Sequence, residues 1–364
     1  MLAGVSGGSL PAMQAGDRRQ PDRAPRAVAA TADLEGLRVA YLELLKLSLC
    51  DLAGTASTSV WTHTDGTLLS RELSGDELSI RVAGVDWPLH GTTMVGLHRL
   101  DDLQRCVEAV VRDGVEGDVI EAGTWRGGAS ILMRATLDLL GEGDRTVWVA
   151  DSFQGFPAAD EELAPIDYLA VPVDDVRANF TRLGYEQGVR FVEGFFEDTL
   201  PALAGERWSV VRLDGDTYEA TWMTLQSLYP GLSAGGYVVV DDYGVLDECR
   251  RAVDEFRAHH GIDDPIEEVD WTCVHWRRSS DAALQPGPAP RTAPAAPPRA
   301  VERPPRDTQV VSIHERGLMK DKRNLYNEID HLRERLAAAE REVAALRRHP
   351  LRAPRSIVRR LRRP

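Results

Sequence analysis

From Leu34 the chain reads LEGLRVAYLELLKLSLCDL, with apolar residues at Leu34, Leu37, Leu44, Leu45 and Leu49. That spacing predicts an amphipathic helix. Residues 51–86 carry no clear period, and a second helix is predicted over 100–112. Short apolar runs then alternate with helical stretches. Strands are predicted at 117–123, 146–152, 189–196, 208–216, 235–243 and 271–278. Helices are predicted between them at 128–140, 174–184, 220–232 and 249–261, the last ending at Gly261. Apolar strands separated by helices imply an α/β, doubly wound architecture, its mostly parallel sheet covered on both faces.

The pattern changes at both ends. Residues 1–33 are rich in Ala, Gly, Pro and Arg without a period and read as a disordered leader. Residues 34–280 form the globular domain, and 281–309 read as a stiff linker, since eight of the twenty residues from Pro286 to Pro305 are proline. Within 310–348, Leu325, Leu332, Ala339 and Leu346 fall on one heptad seam and Ile329, Leu336 and Val343 on the other. This predicts a coiled coil over 325–346, and with it a homo-oligomer, a parallel dimer being favoured. Residues 349–364 form a basic tail.

Composition sharpens this division. The 364 residues hold 43 Lys+Arg against 57 Asp+Glu, a formal net charge of -14. Eight of the 43 are arginines within 347–364, so the remainder carries 35 basic against 57 acidic residues. An acidic body disfavours specific nucleic-acid binding, because phosphate contacts need a positive face. A basic tail interleaved with Leu351, Ile357, Val358 and Leu361 suits an anionic membrane surface or an acidic partner protein. No apolar run approaches the ~20 residues of a membrane span, and the N-terminus lacks a secretory pattern. Cys50, Cys106, Cys249 and Cys273 are scattered without a CxxC pair, which argues against a disulfide framework and a structural zinc site. The expected location is cytoplasmic, with a peripheral position at the inner membrane face open to the tail.

Three clusters carry candidate chemistry. VIEAGTWRGGAS delivers Glu121 at a strand end, then a turn with Gly123, Thr124, Gly127 and Gly128 opening a helix. Such glycines allow close backbone approach to a ligand, and the helix start offers free N–H groups. The spacing is not GxGxxG. Asp151 ends the next strand, where doubly wound sheets hold nucleoside hydroxyls. Asp214 and Asp216, then Asp241 and Asp242, end two further strands. Four carboxylates converging on one sheet edge need a cation, and all-oxygen ligands select a hard ion such as Mg²⁺.

Together these motifs resemble the macrocin O-methyltransferase family of S-adenosylmethionine (SAM)-dependent sugar methylases. The resemblance runs from about Leu42 to Arg278 and includes DWPLHGTTMVG, RLDDLQRCVEAV, VWVADSFQGFP, GFFEDTLP, RLDGDTYEAT and GGYVVVDDY. Residues 281–364 lie outside it. It implies a Rossmann-like SAM-dependent methyltransferase fold with a seven-stranded sheet. It implies that Glu121, Gly123 and Gly127 line the methionine side of SAM, with Thr124 in the same cofactor-binding turn. Asp151 and Ser152 hold the ribose, Asp198 lies near the adenine, and Thr93 and Met94 belong to a lid. Asp214, Asp241 and Asp242 are the implied Mg²⁺ ligands, with Asp216 a further acid. Asp214 or Asp216 is the implied general base; His90 and His98 are alternatives. The substrate is a sugar hydroxyl of a natural product, surface glycan or nucleotide sugar. The competing reading is a non-catalytic methyltransferase-like scaffold anchoring the coiled coil and tail. A dehydrogenase or epimerase would need GxGxxG and a Tyr-x-x-x-Lys pair, and neither is present.

Overall fold

The computed structural model describes residues 34–62, 68–157 and 167–281. The expected leader, most of the linker, the heptads and the basic tail lie outside them.

The chain opens with α1 (Leu34–Leu49), β1 (Thr58–Thr62), β2 (Leu68–Glu72), α2 (Leu78–Val82), β3 (Trp87–Pro88) and α3 (Gly96–Arg112). It continues through β4 (Asp118–Ala122), α4 (Gly128–Leu139), β5 (Val147–Asp151), α5 (Val173–Leu183), β6 (Val189–Glu193) and α6 (Phe196–Thr199). It ends with β7 (Trp208–Leu213), α7 (Tyr218–Leu228), β8 (Leu232–Val240), α8 (Asp247–His260), β9 (Glu267–Glu268) and β10 (Val274–Arg277). Seven strands form one sheet in the order β6-β5-β4-β7-β8-β10-β9. The pairs from β6 to β8 are parallel, while β10 runs antiparallel to β8 and β9.

Alternation along each strand produces two cores. Val119, Val147, Val149, Val210 and Val239 face one side, where α1, α3, α4 and α5 cover them. Ile120, Trp148, Ala150, Val211, Val238 and Val240 face the other, beneath α7 and α8. The two-residue β9 has no sequence period, so only the resemblance anticipated a seventh strand. The unassigned stretch 51–86 folds as a small antiparallel sheet, β2-β1-β3, with α2 beside it. A buried pair fixes this unit: Arg81 donates to Asp86 at 2.8 and 2.9 Å. On α1 the buried positions are Leu42, Leu45, Lys46 and Leu49, whereas Leu34, Leu37 and Leu44 are exposed. Of the five expected positions, Leu45 and Leu49 face the core, and Leu42 and Lys46 complete the buried stripe. Among the described residues no helix is long and apolar enough to cross a membrane.

Candidate active site

Neighbours β4 and β7 are separated in the chain by β5 and β6. Connections therefore leave them in opposite directions, and a crevice opens beyond their carboxyl ends. A cavity of about 770 Å³ lies there. Gly123 makes the junction possible: its φ is +89°, and a Cβ would stand 1.7 Å from the carbonyl oxygen of Asp214. The Asp214 amide donates to the Ala122 carbonyl at 2.8 Å.

Register then places the charges. Glu121 on β4 pairs with Arg212 on β7, and Arg212 pairs with Val239 on β8, two residues before Asp241. Arg212 donates to Glu121 at 2.7 Å, to Asp214 at 2.9 Å and to Asp241 at 2.5 Å. Ser130 donates to the other oxygen of Glu121. From the start of α3, Arg99 donates to the second oxygen of Asp241 and to the Gly84 carbonyl, and pairs with Asp270 at 3.2 Å. Two guanidiniums thus supply part of the compensation that the sequence assigned wholly to an ion. Burial pushes Glu121 up to about 7, opposed by Arg212 and Ser130. Burial and the Asp241 charge push Asp214 up to about 6. Burial, with Asp216 and Asp214 next, raises Asp242 well above the carboxylate range.

The expected residues separate into those the cavity gathers and those it does not. Thr93, Met94, Glu121, Gly123, Thr124, Asp151, Ser152, Asp214, Asp216, Asp241 and Asp242 all line it. Asp151 accepts from the amides of Thr124 at 2.8 Å, Trp125 at 3.2 Å and Phe153 at 2.9 Å, tying the end of β5 to the glycine turn. Asp198 departs from expectation: it is exposed on α6, and Phe195, Phe196 and Glu197 form the wall there. Gly127 is also absent from the wall. At φ +83° its missing side chain makes room for Phe180 and Val176 of α5. Gly128 likewise accommodates the carbonyl of Thr92, which accepts from the Gly128 amide at 2.9 Å. These two glycines seat the Thr92–Met94 segment and α5; neither lines the cavity. His90 and His98 are exposed, and neither lines the cavity.

One metal expectation changes shape. Carboxylate oxygens of Asp214, Asp216 and Asp242 lie within 4.8 Å of one another. Asp242 Oδ2 is buried without a hydrogen-bond partner. Asp216 sits at φ +59°, a strained conformation of the kind that collects at functional sites. Asp241, by contrast, has both oxygens on guanidinium groups, so serving as a ligand would require Arg99 or Arg212 to release it. The unpartnered oxygen and the all-oxygen donor set fit a hard divalent cation held by Asp214, Asp216 and Asp242.

Arg99, Trp125 and Trp271 also line the cavity, Arg212 holds three of its carboxylates from beneath, and none of the four was expected. Arg212, a lone cation within the apolar run WSVVRL, was the readable signal. A buried arginine demands acidic partners.

The Macrocin-O-methyltransferase (TylF) family model matches residues 41–278. The chain belongs to the macrocin O-methyltransferase family. A macrocin O-methyltransferase transfers the methyl group of SAM to oxygen, and this chain is accordingly an O-methyltransferase using that donor. It is 46% identical over 266 residues to the 8-demethyl-8-(2,3-dimethoxy-alpha-L-rhamnosyl)-tetracenomycin-C 4'-O-methyltransferase of Streptomyces olivaceus, covering 69% of this chain and 98% of that one. It is 43% identical over 253 residues to the mycinamicin III 3''-O-methyltransferase of Micromonospora griseorubida, covering 66% and 96%. The solved O-methyltransferase NovP superposes with a TM-score of 0.59 at 40% identity, covering 67% of this chain and all of NovP. The cavity fits SAM: Glu121 and Asp151 suit a cationic nucleoside, and Trp125, Phe156, Phe195 and Phe196 offer aromatic walls.

Proposed function

We propose that this enzyme methylates a hydroxyl of a sugar carried by a natural product, a surface glycan or a nucleotide, with a divalent cation such as Mg²⁺ held by Asp214, Asp216 and Asp242. The observation carrying the reading is that these carboxylates open on the same cavity as Glu121 and Asp151. Relatives named for rhamnosyl-tetracenomycin and mycinamicin substrates support the sugar acceptor.

Glu121 faces the sulfonium side of SAM, and Asp151 with Ser152 holds the ribose. Thr93 and Met94, seated on the α4 turn, cover the donor and exclude water. A divalent cation held by Asp214, Asp216 and Asp242 would supply Lewis acidity that lowers the effective pKa of a nearby sugar hydroxyl. Asp214 shares the Arg212 guanidinium, yet burial and the Asp241 charge outweigh it and push this carboxyl up to about 6, which suits a base. Asp214 or Asp216 takes the hydroxyl proton, and the alkoxide attacks the methyl carbon in line, expelling S-adenosylhomocysteine. Alignment of oxygen, carbon and sulfur is the fold's main contribution.

The test is deuteromethyl-SAM with a panel of rhamnosyl and deoxysugar glycosides, free sugars and nucleotide sugars. The expected result is a methyl ether on the sugar ring, lost in excess chelator. Full turnover in chelator, or methylation of non-sugar phenols alone, would overturn the reading. We also propose that residues 325–346 join two copies and that residues 349–364 meet an anionic membrane surface or acidic partner.

A further inference from the structure

Outside the cavity the fold assembles a second set of ligating side chains. Asp102 and Cys106 are four residues apart on α3, hence on one face. His275 reaches them from β10, on the side of the sheet that α3 covers, and stands opposite Val239 in register. His275 Nδ1 lies 2.8 Å from Asp102 Oδ2, and Cys106 Sγ lies 3.8 Å from the same oxygen. One ligand atom from each of the three falls within 4.8 Å of the others. None of the three lines the active-site cavity.

A tetrahedral zinc ion with ordinary bond lengths sets N···O near about 3.4 Å and S···O near about 3.6 Å. The observed N···O spacing is about 0.6 Å shorter than that and the S···O spacing about 0.2 Å longer, so a side-chain movement of about half an ångström, opening the His275–Asp102 contact, admits an ion. The surroundings match what metal ligands require. The second ring nitrogen of His275 faces Glu267 of β9 at 3.6 Å, the carboxylate–imidazole arrangement that orients a ligating histidine. The second oxygen of Asp102 accepts from Arg105 at 2.9 Å, which fixes the carboxylate. The Tyr237 ring packs edge-on against the imidazole, with centroids 5.5 Å apart.

We propose that Asp102, Cys106 and His275 bind a zinc-class divalent cation that clips α3 to β10, with water as the fourth ligand. Thiolate and imidazole donors select such an ion over Mg²⁺, so this site and the all-oxygen cluster take different metals. Binding displaces the thiol proton and any proton on Nδ1 to solvent. The clip steadies the active site from outside. α3 begins near Arg99, which holds Asp241, and the segment leading into β10 carries Trp271 and Thr272 of the cavity wall. The sequence argued against structural zinc because no two cysteines are close in the chain, but this site takes one ligand of each type and gathers them only in the fold.

Cobalt(II) is the probe, titrated into metal-stripped full-length protein with Mg²⁺ in excess. One equivalent should bind with a thiolate-to-cobalt charge-transfer band, and Zn²⁺ should abolish that band. Cys106→Ser should lack the band, and His275→Gln should bind Co²⁺ at least tenfold more weakly, while both bind SAM as the parent does. SAM binding certifies the fold of each variant. The proposal is overturned if the parent shows no band, if the band survives in Cys106→Ser, or if His275→Gln binds cobalt as tightly as the parent. Zinc raising the melting temperature of parent and Cys106→Ser equally would also overturn it.

Discussion

Glu121 is buried beside Arg212 and Ser130, yet those partners do not restore its ordinary acidity, and it titrates at about 7. In the unfolded chain the same carboxyl loses its proton near 4.5. The unfolded state therefore releases the proton first, and this group's contribution to stability declines as pH rises from about 4.5 to about 7. SAM binding has the opposite slope, because a sulfonium cation prefers the ionised form. Affinity measured by titration calorimetry should rise from pH 6 to pH 8 and level off above, each unit below the transition costing up to about tenfold. Glu121→Gln should flatten the profile and bind SAM more weakly at pH 8; an unchanged profile would separate Glu121 from the donor. Gly123→Ala tests geometry in place of charge. Its Cβ would meet the Asp214 carbonyl at 1.7 Å from a left-handed backbone, so a loss of about 4 kcal/mol or more is expected in urea unfolding. Acids at strand ends were readable because a strand that stops at Asp or Glu aims it into the crevice. Asp198 was less so, since its side of a one-turn helix depends on where Phe195 and Phe196 pack. Arg99 was hidden for a different reason: an arginine near a helix start usually faces solvent, and only the tertiary fold turns this one toward Asp241 and Asp270.

At the scale of elements, α3 does more than cover the sheet. Arg99 connects it to Gly84, to the end of β8 and to Asp270, and Gly84 itself has no room for a side chain against that guanidinium. Removing the cation leaves one oxygen of Asp241 and one of Asp270 buried without a cationic partner, while Arg212 keeps the other oxygen of Asp241. Arg99→Met should cost about 3–5 kcal/mol. It should also reduce SAM affinity, because the 84–95 segment loses an anchor. Arg99→Lys should recover part of the stability, and the pair of variants distinguishes lost charge from lost geometry. Strand–helix alternation from β4 to β8 was legible because β4, β5, β7 and β8 are buried on both faces and the helices between them carry their own period. The β1–β3 sheet was not. Leu68–Glu72 is mostly exposed, so it lacks the alternation of a half-buried strand. The stripe on α1 was legible only in part for a related reason: leucines at several angles around the helix offer more than one apolar face, and packing selects Leu42, Leu45 and Leu49.

For the whole molecule, the charge division makes a separable prediction. The described fold, with both cores and the entire cavity, ends by Asp281, and the family match ends at residue 278. A chain truncated after Asp281 should bind SAM within about twofold of the full chain, since the cavity-lining positions among the described residues all precede that point. Its hydrodynamic size should fall from dimer to monomer if the 325–346 heptads join two copies. A chain ending at Arg348 should remain dimeric while losing most binding to anionic vesicles, because six of the eight clustered arginines lie beyond that point. Near an anionic surface each is worth about 1 kcal/mol, an attraction that salt screens. Vesicle sedimentation should therefore show full-length protein pelleting at low salt and releasing as salt rises, with neutral vesicles capturing none. If the chain ending at Arg348 pellets as well as the full chain, the tail is not the membrane contact. If full-length protein ignores anionic vesicles altogether, the acidic-partner role is what remains for these arginines, and cross-linking from residues 349–364 becomes the experiment that finds it.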